Sequence, residues 1–167
     1  MRSRAPLHDR AGFTLLELML VLIVSGLMAA VAYSAHVTYS IRAQVGDAIA
    51  ATSTLRTAIA DAYQRQRRAP DDESSEPPAA DAGRFVGARR IVTGRIDLVF
   101  GAEAGAAITG RTLSLTPYET ADLEIVWICG NRIPGPGLEP LGFSAGGPRA
   151  VQAATTIEAR FLPPSCR

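Results

Sequence analysis

Gly12-Phe13-Thr14-Leu15-Leu16-Glu17 opens an apolar run that continues to Val37, and Glu17 is the only formally charged residue between Phe13 and Val37. About 25 residues at ~1.5 Å per residue make roughly 37 Å of helix, enough to cross a bilayer with some tilt. A carboxylate removed from water costs several kcal/mol unless it is neutralised or paired, so Glu17 demands a partner. Arg2, Arg4 and Arg10 precede the run, which predicts a cytoplasmic N-terminus and a translocated remainder. A secretory signal ending near Ala30 to Ala32 and a plain membrane anchor are the alternatives. Both leave Gly12 and Glu17 without a reason.

Beyond Val37 the pattern turns amphipathic. Ile41, Val45, Ile49, Thr52, Leu55, Ile59 and Tyr63 keep helical spacings of three and four, and Arg42, Asp47, Arg56, Asp61 and Arg65 fall on other faces. Arg65, Arg67 and Arg68 followed by Pro70 read as a basic last turn and a breaker, so the helix is predicted over 13–68. Its membrane half spans 13–37 and its amphipathic half 38–68. Residues 69–94, including DDESSEPPAADAG at 71–83, read as an acidic, proline-containing connecting loop whose carboxylates form a solvated surface rather than a regular calcium loop.

The period then changes to that of strands. Arg95 to Phe100, Thr112 to Thr116 and Leu123 to Cys129 are rich in Val, Ile, Leu and Thr and are separated by Gly or Pro clusters, which predicts an antiparallel meander. Its apolar face, with Ile96, Leu98, Leu113, Leu115, Ile125 and Trp127, would cover the exposed face of the helix. The expected fold class is α+β, with the sheet and a C-terminal loop occupying 95–167. About 100 residues outside the hydrophobic N-terminus suffice for one small domain.

Composition excludes more than it assigns. The net charge is +1 and all seventeen cations are arginine, so the overall balance gives no support to a general nucleic-acid role. Arg84, Arg89, Arg90 and Arg95 read as a charged strand edge more readily than as a DNA patch. Cys129 and Cys166 are too far apart for a CxxC pair, and no histidines stand at zinc-ligand spacing. In an exported chain a disulfide is the natural reading. His8 and His36 lie at the N-terminus and at the membrane boundary, and Gly101, Gly105 and Gly110 lack the ending of a phosphate loop. No catalytic constellation, cofactor or metal site is expected.

The run GFTLLELMLVLIVSGLMAA from Gly12 to Ala30 resembles the N-terminus of type IV prepilins. The resemblance implies a discarded leader over 1–12, cleavage between Gly12 and Phe13 by prepilin peptidase, and N-methylation of Phe13. It also implies an assembly contact in which Glu17 docks against the Phe13 amine of a neighbouring subunit. Gly26 matches a glycine common in the apolar half, and it reads either as a soft point in the helix or as a site of close packing. Ser34 stands where many members carry a proline, so less kinking is expected there.

Leu113 to Pro117, Trp127-Ile128-Cys129 and Ser165-Cys166-Arg167 resemble the closing strands and tail of type IVa pilins. There the two cysteines bound a surface loop, which implies a Cys129–Cys166 disulfide. The implied function is a non-enzymatic pilus subunit acting in attachment, motility or DNA uptake. Its implied partners are like subunits, the peptidase, the inner-membrane assembly machinery and the membrane itself, with the surface or DNA ligand unassigned. The precursor would sit in the inner membrane with a periplasmic head, and the product in an extracellular pilus. A type II secretion pseudopilin, and an exported enzyme or receptor domain on an uncleaved anchor, are the competing readings.

Overall fold

The computed structural model describes residues 12–70 and 83–167. The leader expected over 1–12 therefore lies, apart from Gly12, outside the described residues, as does most of the acidic stretch. The chain divides into two compact units, one ending at Val37 and one from Thr38 to Arg167.

Helix α1 runs Leu15–Ala51 and α2 runs Ser53–Gln66. The expected start at Phe13 moves to Leu15 because Thr14 caps the first turn: its Oγ1 accepts the Glu17 N–H at 3.2 Å and its carbonyl accepts the Leu18 N–H at 3.1 Å. In the first unit, α1 passes through Ser34 without a break, and its large apolar side chains are exposed.

The second unit holds the core. Ile41, Val45, Thr52, Ile59 and Tyr63 are buried, and Ile49 and Leu55 pack against the cluster, as the spacing predicts. Ala48 completes the stripe. The helix is interrupted at Thr52, whose N–H and Oγ1 both donate to the Ile49 carbonyl, at 3.1 and 2.7 Å. That tightens one turn and separates α1 from α2. Arg67 adopts φ 51° and returns its N–H to the Tyr63 carbonyl at 2.8 Å, ending α2 at Gln66 rather than at Arg68.

Four antiparallel strands follow, β1 (Val86–Val92), β2 (Arg95–Phe100), β3 (Thr112–Glu119) and β4 (Ile125–Cys129), and the short β5 (Glu139–Pro140) pairs with β3. The reading of 69–94 as connecting loop does not hold for Val86–Val92. Thr93 and Gly94, both at positive φ, make a two-residue hairpin turn that pairs β1 with β2. Asn-Gly is the strong sequence signal for such a turn. Thr-Gly is a weak one, and Gly87 with two arginines obscures the alternation. Gly87 is needed because a Cβ there would stand 2.7 Å from Gly101 Cα, across a bulge in the β1–β2 pairing.

Strand β3 extends past Thr116 to Glu119 and includes Pro117. Its pairing with β2 ends at Leu115, so Pro117 removes no hydrogen bond from that side. Leu123 takes φ 65° in the turn before β4, which delays the strand to Ile125. Ile96, Leu98, Leu113 and Leu115 are buried facing the helix, whereas Ile125 and Trp127 are half-buried at its margin.

Candidate assembly site

The residues singled out at the N-terminus sit on an unpacked surface. Gly12 and Phe13 precede α1, Phe13 is 81% exposed, and Glu17 lies in the first helical turn. From Phe13 through Val37 the exposed side chains include Leu15, Leu16, Leu20, Ile23, Leu27 and Val31. An apolar surface of this length cannot remain in water and must be covered by lipid or protein. Gly26 lies within α1, and a Cβ there would meet no heavy atom within 4 Å. Among the described residues nothing requires glycine at that position.

The cysteines are brought together. Cys129 at the end of β4 is bonded to Cys166 in the last 3-10 turn, with the Cα atoms 4.6 Å apart. Gly130, at φ +63°, lies against this bridge, where a Cβ would stand 2.6 Å from the Cys166 carbonyl oxygen. The enclosed segment is also stitched to β3. The Thr155 hydroxyl donates to the Thr112 carbonyl at 2.7 Å, and the Thr112 N–H donates to Thr156 Oγ1 at 2.8 Å. Gln152 Nε2 donates to the carbonyls of Gly130 and Arg132, while its Oε1 accepts from Tyr118 Oη at 3.1 Å. These partners are far apart in the chain, so sequence spacing does not reveal them.

Sequence reading also missed a buried polar group. Glu119 is 1% exposed. Its Oε2 accepts from Tyr63 Oη at 2.7 Å and its Oε1 from the Ser144 N–H at 2.6 Å. Tyr63 thus ties α2 to β3 and to the C-terminal loop. Burial raises its phenol pKa above 10.0, and the Glu119 hydrogen bond and charge add to the rise; a Gly142 backbone hydrogen bond and the Arg67 charge oppose it. Burial alone raises Tyr118.

Two of the four arginines of the candidate basic cluster are held in ion pairs. Arg95 forms a two-pronged pair with Asp97 at 2.9 and 2.7 Å, and Arg84 pairs with Glu103 at 2.9 Å. Among the described residues no group of His, Cys, Asp and Glu is arranged to hold a metal ion.

Comparison with known proteins matches two families. The pilin family (bacterial filament) matches residues 41–167, and the prokaryotic N-terminal methylation motif matches 7–33. The chain is similar to the type IV major pilin protein PilE1 of Neisseria gonorrhoeae, 29% identical over 161 residues, covering 93% of this chain and 86% of that one. It is similar to the type IV major fimbrial protein FimA of Dichelobacter nodosus, 31% identical over 164 residues, covering 93% and 95%. A fimbrial protein of Neisseria meningitidis is 28% identical over 160 residues, covering 93% of each chain. With an apolar N-terminal helix, a helix-backed antiparallel sheet and a cysteine-closed C-terminus, the chain belongs to the pilin family of bacterial filament proteins, which are structural subunits and not enzymes.

Proposed function

We propose that the chain is a type IV pilus subunit that is cleaved between Gly12 and Phe13, methylated on the new Phe13 amine, and polymerised through α1 into a surface filament. The observation that carries this reading is a carboxylate, Glu17, in the first turn of an exposed apolar helix. Cleavage creates an ammonium four residues before that carboxylate. In a low-dielectric surrounding each is the other's natural partner, and leaving either unpaired costs several kcal/mol. Glu17 of an incoming subunit therefore docks on Phe13 of its neighbour, setting register and drawing the helix out of lipid.

Before assembly the subunit is held in the inner membrane with its N-terminus cytoplasmic, where prepilin peptidase and the assembly machinery act on it. Its filament serves attachment, motility or DNA uptake. The relatives are named as pilus or fimbrial proteins, so no observation favours the secretion-system alternative.

Two measurements test the reading. The mass of the mature N-terminus is expected to begin at methylated Phe13, and an uncleaved Met1 would remove it. Glu17→Ala is expected to be processed normally and to yield few filaments, and ordinary filament yield would remove the docking contact.

A further inference from the structure

A strap without regular structure lies over the outer face of β3. Val151 to Thr156 belong to no helix or strand, and of these residues only Thr155 is buried. The chain is fixed on either side of them. Ala150, itself buried, donates its N–H to the Leu141 carbonyl at 2.9 Å, and Cys166 is held by the disulfide. Between these points side chains make most of the bonds. Arg95 Nη1 donates to the Val151 carbonyl at 2.6 Å, Tyr118 Oη bonds Gln152 Oε1, and Asn131 Oδ1 accepts the Thr155 N–H at 3.1 Å. The Thr112 carbonyl accepts the Thr156 N–H at 3.0 Å. Few buried apolar contacts and bonds made near solvent mark a segment that opens on its own.

Under the strap one polar group is unmet. Thr116 is 0% exposed, and its Oγ1 has no hydrogen-bond partner among the described residues. Side chains alternate across a strand, so Thr116 shares the outer face of β3 with Ser114 and Tyr118, opposite Leu113 and Leu115. The last β2–β3 pair is Ile96 with Leu115, which sets Arg95 beside Thr116. Arg95 and Tyr118, the neighbours of Thr116 on this face, are therefore the residues that grip the strap at Val151 and Gln152. Closing the strap takes the Thr116 hydroxyl out of water and gives it no partner, a cost that opening returns.

We propose that residues 151–156 are a two-state cover that lifts as a local unit while helix and sheet stay folded, with the disulfide and the Ala150–Leu141 bond as its hinges. The unmet Thr116 hydroxyl loads the closed state. Lifting uncovers Thr116, Tyr118 and the Ile128 that pairs with Thr116, and it frees the Thr112 N–H and carbonyl from Thr155 and Thr156. The head thus carries a surface that is presented only in the open state.

Amide hydrogen exchange, resolved at single residues in the full detergent-held chain with its disulfide intact, tests this. The Thr155 and Thr156 amides, both bonded when the strap is closed, are expected to exchange about a hundredfold faster than those of Leu113 to Leu115. Low urea should leave their rate unchanged, because local opening exposes little surface. Thr116→Val removes the unmet hydroxyl at nearly constant volume and is expected to slow both strap amides about tenfold. Gln152→Ala, at the strap itself, is expected to speed them about fivefold.

Strap amides that exchange as slowly as β3, with the same response to urea, overturn the proposal, since the segment then opens only on global unfolding. Thr116→Val that slows the β3 amides and leaves Thr155 and Thr156 unchanged also overturns it, because the hydroxyl is then not beneath the strap. Strap amides that do not respond to Gln152→Ala have the same consequence for the grip at Tyr118.

Discussion

Tyr63, Glu119 and Gly130 show how much rests on single atoms in this head. Tyr63→Phe leaves Glu119 Oε2 buried without its 2.7 Å donor, and an unmet buried acceptor costs about 1–3 kcal/mol. Urea unfolding should show that loss at neutral pH. The phenol also predicts a pH dependence. Its pKa is raised in the folded state, so its contribution is complete below the unfolded value of about 10 and is lost as pH rises through the folded value. Stability should therefore fall in alkali, and less steeply in Tyr63→Phe, where Tyr118 still contributes. Gly130→Ala places a Cβ 2.6 Å from the Cys166 carbonyl oxygen at φ +63°. About 2 kcal/mol or more should be lost on unfolding with the disulfide intact. Glu17 was legible as an anomaly because a lone charge in an apolar run can be read from the chain alone. Glu119 was not, because its partners are 56 and 25 residues away.

The elements differ in how much local sequence decides them. The burial of α1 beyond Val37 and of α2 follows from spacing, since a helix presents every third or fourth residue to one face. Its interruption at Thr52 depends on one hydroxyl choosing the Ile49 carbonyl, which periodicity cannot express. Strand β2 was read to the residue. Strand β1 was missed because the Thr93-Gly94 turn and the Gly87 bulge take their meaning from the partner strand. The C-terminal segment has little regular structure and leans on its bridge and on polar stitches to β3. A Cys129–Cys166 link with a sequence separation of 37 contributes roughly 4 kcal/mol in the chain-entropy account. Cys166→Ser should lower the melting temperature by about 10 °C or more by calorimetry. A melting temperature that does not move would assign the holding of this segment to the Thr112, Gln152 and Thr155 hydrogen bonds.

At the scale of the whole molecule, two units with opposite solvent preferences share one chain. The unit from Thr38 to Arg167 buries a contiguous core from helix, sheet and C-terminal turns. Expressed without residues 1–37 it should be soluble and unfold cooperatively, whereas the full chain should require detergent or a filament; circular dichroism and sedimentation check both. The sequence by itself determined the apolar run, the Gly12 and Glu17 motif, the helical face that meets the core and the change of period to strands. Each is a local pattern, set by which residues recur within a few positions and by the cost of one charge in an apolar stretch. Only the tertiary structure decided the fourth long strand, the Tyr63–Glu119–Ser144 network and the stitching of the cysteine-bounded segment. Those depend on which distant atoms come within hydrogen-bonding or packing distance, and that is settled when the sheet closes over the helix.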